Sequence, residues 1–217
     1  MPMENIIILT FLWLLYFLSH SLLASDHTKK ILILALPSLA SYYRLLYNLL
    51  AIVLLLPLLY FIYYIPSDIL WQREYGIKIL FNLMALLALV GFLWSLKFYS
   101  SMDFLGFKQH ERVTRSIGNQ LVLSPLHRFV RHPWYFFALV LIWTRDMNVH
   151  FFVSSVLMTA YFFIGSHLEE KKLVSEFGVV YEKYQRYVPR LIPSFRRYLN
   201  NDKMAELKIA QSMNETK

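Results

Sequence analysis

Long apolar stretches constrain the fold of this chain more than any other feature. A membrane-spanning helix needs about 20 mostly apolar residues, and stretches of this length cover residues 6–24, 45–65 and 77–98. Hydrophobic residues make up 57% of the 217 residues and charged residues 17%, a more apolar balance than that of ordinary soluble domains. The sequence therefore predicts an all-α integral membrane protein embedded in a lipid bilayer.

Two shorter apolar stretches, at residues 134–143 and 151–165, predict a membrane hairpin with polar groups at its open end. An Arg–His pair at residues 131–132 precedes the first arm, and a Glu–Glu pair at residues 169–170 follows the second. A tight turn between the arms would bring both pairs to the same membrane face. With this hairpin, the chain is predicted to have about five membrane-spanning helices and one candidate site built by folding.

These charged pairs also have a purely structural interpretation. Basic residues at a helix end are common juxtamembrane charges, so Arg131 and His132 need no catalytic function. Carboxylates beside a membrane helix are costly unless a cation meets them, and either Arg131 or the lysines at residues 171–172 could pair with Glu169 and Glu170. Residue types alone leave a salt bridge and a ligand site equally open.

Amphipathic helices are predicted after the hairpin, where apolar side chains recur at steps of three and four. Gly178 interrupts this pattern and predicts a break between two helices. The polar residues 200–217 predict a weak helix or a disordered tail. Upstream, residues 25–30 are predicted as a polar break and residues 66–76 as a polar loop.

The predicted organisation is one membrane-embedded domain at residues 1–199, followed by the tail. Residues 1–100 hold the three long spans, and residues 101–199 hold the hairpin and the candidate binding region. His20, near the end of the first span, is predicted to form an interhelical hydrogen bond. Gly91 is predicted to allow close packing of the third span.

Basic residues are distributed unevenly between the two sides of this topology. Five spans place 19 of the 22 Lys and Arg residues on one side, and Arg73, Lys78 and Arg145 on the other. The side richer in Lys and Arg usually faces the cytoplasm. This distribution predicts an external N-terminus, a cytoplasmic C-terminus and a candidate site that faces the cytoplasm.

Several classes of chemistry lack their sequence motifs. The chain has no cysteine, which excludes thiolate nucleophiles and Cys-ligated metal clusters. Neither G-x-x-x-x-G-K-[ST] nor G-x-G-x-x-G occurs. The seven histidines show no H-E-x-x-H spacing, so no metal site is predicted. No nucleic-acid partner is expected either.

An ordered set of short motifs in the C-terminal half resembles the isoprenylcysteine carboxyl methyltransferase superfamily. It covers about the last 100 residues before the tail, and each motif alone is weak. Its residues are Leu121-Val122, Arg131-His132-Pro133-Trp134-Tyr135, Glu169-Glu170, Phe177-Gly178, Tyr181, Tyr184 and Val188-Pro189-Arg190-Leu191-Ile192-Pro193. The stretch FLGFKQ at residues 104–109 looks closest to bacterial methanethiol S-methyltransferase-like members. HSLLAS at residues 20–25, followed by YYRLLYN at residues 42–48, is similar to NnrU-like membrane proteins of the same superfamily.

The resemblance implies a methyltransferase of the bacterial inner membrane with S-adenosylmethionine as methyl donor. The acceptor would be a small thiol, a carboxylate or a lipid-like molecule. The implied catalytic candidates are Arg131, His132 and His127. The implied cofactor-binding residues are Gln109, Asn119, Gln120, Leu121, Val122, His132, Pro133, Trp134, Tyr135 and Glu169.

Two departures from the superfamily pattern bear on the substrate. His127 stands where a tyrosine is common, and it could replace the tyrosine contact or act as a base. Phe137 stands where glycine is common, and it could narrow the site or the substrate portal. Two further functions stay open: an NADPH-dependent enzyme like the sterol C14-reductases, and a non-enzymatic NnrU-like membrane factor. Methyl transfer requires no catalytic triad, because the donor is already activated and the protein mainly aligns it with the acceptor.

Overall fold

The computed structural model describes residues 3–98, 121 and 123–215, and almost all of them belong to helices. Four helices in the described part are long and apolar enough to cross a membrane, and a fifth is shorter. The prediction of an all-α membrane protein with about five spans is confirmed. The helices are α1 (Met3–Ala24), α2 (Asp26–Ala35), α3 (Tyr43–Tyr64), α4 (Tyr75–Ser95), α5 (Pro133–Trp143), α6 (Val149–Phe177), α7 (Val179–Tyr187) and α8 (Asn201–Glu215).

The long helices follow directly from the apolar stretches. Each of α1, α3, α4 and α6 contains an apolar stretch of at least 18 residues with at most two charged side chains. Most of their large apolar side chains are exposed, as expected for surfaces that face lipid. A helix suits this environment because its backbone hydrogen bonds are made within the helix itself. Pro57 lies inside α3 without ending it.

The described residues form two compact units. The first contains residues 3–78 and 145–158. Its core joins α1 to α3 through Leu9, Trp13, Leu58 and Ile62, all at most 5% exposed. The Trp13 indole N–H donates to Ser154 Oγ at 2.8 Å.

Two segments of the first unit differ from prediction. Residues 25–30 are a helix start rather than a polar break, because Ser25 caps α2 by accepting a hydrogen bond from the Thr28 N–H. Residues 66–76 contain a strand, β1 (Ile69–Trp71), which pairs antiparallel with β2 (Met147–Asn148). The hairpin connection between α5 and α6 is therefore tied to residues more than 70 positions away.

The second unit contains residues 79–98, 123–144 and 159–215. Its core is formed by Val180, Tyr181, Tyr184, Val188, Leu199 and Leu207. Gly178 has a φ of 54°, a conformation that favours glycine, and it separates α6 from α7 as predicted. The polar tail forms a helix, α8, which buries Leu207 to 3% exposure. Of the two tail alternatives, the helix is the one observed.

Candidate active site

The Arg–His segment is fixed by backbone pairing with the segment that follows α7. The Arg131 N–H donates to the Pro189 carbonyl at 2.9 Å, and the His132 N–H donates to the Arg190 carbonyl at 3.1 Å. Two motifs almost 60 residues apart in sequence thus lie side by side. This pairing presents the side chains of Arg131 and His132 to the end of α6.

Glu170 on α6 is the centre of a buried charge cluster. Arg131 donates to both of its oxygens, from Nε at 2.6 Å and from Nη2 at 3.1 Å. Gln185 Nε2 donates to Oε2 at 3.0 Å, and Arg190 Nε lies 3.3 Å from the same atom. His132 Nε2 lies 3.2 Å from Oε1. The side chains of Arg131 and Glu170 are only 8% and 3% exposed, so this pair is removed from solvent.

Arg131 is also occupied on its remaining side. Its Nη1 donates to the carbonyls of Gln185 and Val188, at the end of α7, where a cation compensates carbonyls that lack helical partners. All three guanidinium nitrogens therefore contact the protein. The salt-bridge interpretation fits the contact between Glu170 and Arg131.

Glu169 differs from its neighbour in both exposure and partners. Its side chain is 50% exposed, and Oε2 lies 3.5 Å from His132 Nδ1. The Tyr135 hydroxyl donates to the same oxygen at 3.3 Å. Both contacts are longer than the hydrogen bonds that Arg131 and Gln185 donate to Glu170. The result is a half-exposed carboxylate that contacts two rings at one of its oxygens.

Three aromatic rings stack beside this carboxylate. The rings of His132 and Tyr135 are 5.3 Å apart with an interplanar angle of 8°. The Tyr135 ring also stacks on the Phe162 ring, with the ring centres 5.1 Å apart and an interplanar angle of 11°. The stack fixes the orientation of His132 between the two glutamates.

The two histidines near the site have opposite pKa shifts. Burial alone would lower the pKa of His132, but hydrogen bonds to Glu169 and Glu170 and their negative charge outweigh it, so its pKa is raised. Burial, together with the charge of His132, lowers the pKa of His127 to about 4, against a smaller opposing effect of Glu169. At neutral pH His127 is therefore an uncharged imidazole.

His127 is held at two points. Its Nδ1 lies 2.7 Å from Ser124 Oγ, within hydrogen-bond distance. Its carbonyl accepts a hydrogen bond from the Tyr184 hydroxyl at 2.7 Å. The Tyr184 ring belongs to the core of the second unit, so this core determines where the His127 backbone lies.

The first turn of α5 is anchored to α4. Pro133 occupies the first turn of α5, where its missing N–H costs no helical bond. The Trp134 indole N–H donates to the buried Ser95 Oγ at 2.7 Å. One turn later, the Phe137 ring lies against Gly91, where an added Cβ would approach Phe137 Cζ to 2.7 Å. The predicted close packing at Gly91 is confirmed, and its partner is the residue that departs from the superfamily pattern.

The structure brings part of the sequence-predicted set together. His132, Tyr135 and Glu169 share one contact network. Arg131 is linked to this network through Glu170, which His132 also contacts. Leu121 packs against the core of the second unit. Gln109, Asn119, Gln120 and Val122 lie outside the described residues. Sequence reasoning missed Gln185, Arg190 and Phe162 as contributors, although Arg190 belongs to a motif that the resemblance had marked.

The fold and this cluster define a helical membrane protein with a paired-glutamate site at the end of a hairpin. A methanethiol S-methyltransferase of Bradyrhizobium diazoefficiens is 30% identical over 207 residues, which is 92% of this chain and 78% of that protein. A methanethiol S-methyltransferase of a Pseudomonas species is 45% identical over 69 residues, and one of Crocosphaera subtropica is 41% identical over 68 residues; each match spans 31% of this chain. The matched part is 26% of the Pseudomonas protein and 27% of the Crocosphaera protein.

The chain belongs to the family of these methyltransferases, which fits the superfamily that its motifs resemble. No protein-family model matches the chain, and no solved structure matches it either.

Proposed function

We propose that this chain is a membrane-embedded methyltransferase that moves a methyl group from S-adenosylmethionine to a small thiol such as methanethiol. The likeness to a methanethiol S-methyltransferase over 92% of the chain supports the reaction class. The observation that carries the proposal is the difference in burial and partners between the adjacent Glu169 and Glu170. Glu170 is buried in ion pairs, whereas Glu169 is half exposed beside His132 and Tyr135.

The residues present suit the donor chemically. S-adenosylmethionine carries an ammonium and a sulfonium, and a half-exposed carboxylate such as Glu169 favours positive charge. The stack of His132, Tyr135 and Phe162 supplies apolar surface of the kind that ligand pockets use. Pro133 and Trp134 in the same turn, and the segment containing Gln109, Asn119, Gln120, Leu121 and Val122, complete the proposed donor site.

His132 and Arg131 act as positioning residues in this proposal. The raised pKa of His132 favours its charged form, and the ring holds Glu169 through Nδ1 while Nε2 faces Glu170. Arg131 fixes Glu170 and the end of α7. Together they set the direction of Glu169 without contacting the reacting atoms.

When bound, S-adenosylmethionine supplies a methyl group already activated by its sulfonium. Transfer of that methyl group to the thiol sulfur would break its bond to the donor sulfur and would release the thiol proton to a nearby base. His127 is the proposed proton acceptor, since burial lowers its pKa to about 4 and its ring is therefore uncharged at pH 7. Its lowered pKa makes it a weak base, so its contribution to the rate is expected to be modest.

Orientation is part of the same proposal. The excess of 19 among 22 basic residues on one side supports an external N-terminus and a cytoplasmic site in a bacterial inner membrane. Residues 1–199 then act as one methyltransferase-like domain. Reporter fusions after Lys30 and after Tyr198 should both give cytoplasmic signals, and an external signal from the second would contradict the orientation.

The direct test uses the purified full-length chain in detergent. Labelled S-adenosylmethionine and methanethiol should yield labelled dimethyl sulfide, and the labelled product should disappear when either reactant is omitted. Prenylcysteine and lipid acceptors run in parallel define the acceptor class. NADPH oxidation with a sterol substrate in place of methyl transfer would favour the reductase alternative. Absence of both activities, with no binding of either cofactor, would favour a non-enzymatic membrane factor.

A further inference from the structure

A polar cavity lies in the first unit, and the proposed methyl transfer does not use it. Its volume is about 390 Å³, within the 300–1,000 Å³ range of small-molecule sites. It lies where α1 ends, α2 begins and α3 begins. The polar side chains that line it are those of Asp26, Lys29, Tyr43, Arg44, Tyr47 and Asn48.

Leu23 and Ala24 also line the cavity, so six of its eight lining residues come from the two N-terminal motifs that the methyltransferase site leaves unexplained. The HSLLAS stretch at residues 20–25 ends α1, and the YYRLLYN stretch at residues 42–48 opens α3. The Tyr43 hydroxyl donates to the Leu23 carbonyl at 2.6 Å. The Tyr47 hydroxyl lies 2.7 Å from His20 Nε2. The tyrosines thus hold α1 against α3, as predicted for His20, and they fix two walls of the cavity.

Charge and depth identify the type of ligand. Lys29 and Arg44 are the cations of the cavity lining, and Asp26 is its carboxylate, so positive charge is in excess. Because α1 and α3 are long and apolar enough to cross a membrane, a cavity at the end of α1 and the start of α3 would open near the lipid headgroups. Basic pockets between membrane helices bind anionic headgroups, and a guanidinium matches the geometry of phosphate oxygens.

A charged cluster around Asp146, also in the first unit, has two cations beside one carboxylate. Asp146 Oδ2 lies 2.7 Å from Lys78 Nζ, and Oδ1 lies 3.6 Å from Arg73 Nη1. The pKa of Asp146 is lowered, chiefly by its hydrogen bond to Lys78. This acid lies close to both cations and ties the β1–β2 region together, so that cluster has a structural role.

We propose that the cavity between α1, α2 and α3 binds a phosphate ester, presented as the headgroup of an anionic phospholipid. Lys29 and Arg44 contact the phosphate, and Asn48 contributes a polar side chain to the same site. Asp26 opposes the ligand and limits its affinity. The bound lipid stabilises the junction of the three helices and is independent of methyl transfer.

The test is a titration of the full-length protein with dioctanoyl phosphatidylglycerol in neutral detergent, followed by native mass spectrometry. Lys29→Gln and Arg44→Gln should each weaken binding about fivefold, and the double variant about 25-fold. Asp26→Asn should tighten binding, since it removes the opposing charge. Lys30→Gln is the matched control: Lys30 is adjacent and exposed but does not line the cavity, so binding should change less than twofold.

Three results would overturn the proposal. Equal weakening by Lys30→Gln and Lys29→Gln would mean diffuse charge attraction rather than a site. Equal affinity for dioctanoyl phosphatidylcholine would remove the role of anionic charge. Binding of free glycerol 3-phosphate as tightly as the lipid would assign the cavity to a soluble phosphate ester. If Arg44→Gln does not purify as a folded species by circular dichroism, Lys29→Gln and Lys30→Gln decide the outcome.

Discussion

Replacing Glu170 by glutamine should destabilise the protein strongly, whereas the same replacement at Glu169 should not. Glu170 and Arg131 are 3% and 8% exposed and share two hydrogen bonds. Glu170→Gln keeps the shape of the side chain but leaves the guanidinium buried without a counter-charge. Breaking a buried ion pair from one side costs about 3–5 kcal/mol. For a chain of this length, about 1 kcal/mol lowers the Tm by roughly 2–4 °C, so the Tm should fall by roughly 6–20 °C.

The matched control is Glu169→Gln, one residue away on the same helix. Its side chain is 50% exposed, and exposed pairs contribute about 0–1 kcal/mol, so the Tm should fall by less than about 4 °C. Thermal unfolding of both variants in the same detergent, followed by circular dichroism, gives the comparison. Equal losses for the two variants, or a Tm within 2 °C of wild type for Glu170→Gln, would refute the assignment of Glu170 as the structural partner.

Three further predictions concern titration and packing. The raised pKa of His132 means that its ion pairs stabilise the fold fully below about pH 6.5 and are lost as the pH rises through the folded pKa; His132→Gln should flatten this part of a Tm-against-pH profile. The pKa of His127 is lowered from 6.5 to about 4, so stability should fall as the pH drops between those values, because only the unfolded chain takes up the proton. His127→Gln should reduce that loss, and an unchanged slope of Tm against pH in this variant would contradict the prediction. Gly91→Ala places a Cβ 2.7 Å from Phe137 Cζ and should cost about 1–3 kcal/mol; Phe137→Ala in the same chain should recover much of the Tm if the ring causes the cost.

The membrane fold could be predicted from the sequence because bilayer thickness sets the length of an apolar stretch. The ends of α1, α3 and α4 fall within three residues of the predicted ends. Gly178 was equally informative, since a positive φ favours glycine. The pairing of β1 with β2 was not predictable, because two short strands separated by more than 70 residues leave no local pattern. The start of α2 was missed because the polar residues after Ser25 belong to a helix cap.

The candidate site could be located from the sequence but not resolved into roles. Two adjacent glutamates are equivalent in a motif, yet successive helix positions point about 100° apart. Only one of them can therefore face Arg131, and the fold around α7 determines that it is Glu170. The contributions of Gln185 and Arg190 depend on the same packing. Phe162 lies about two turns before Glu169 on the same helix, within an apolar stretch where no sequence signal distinguishes it from its neighbours.

The central claim is that Glu169 holds the cationic end of the methyl donor, and one measurement tests it most directly. Isothermal titration calorimetry with S-adenosylmethionine would compare the full-length protein with Glu169→Gln in the same detergent. A charge-assisted hydrogen bond contributes about 1.5–3 kcal/mol, so the Kd should rise by roughly ten- to a hundredfold while the Tm changes little. A Kd within twofold of wild type would contradict the claim and would place the donor elsewhere.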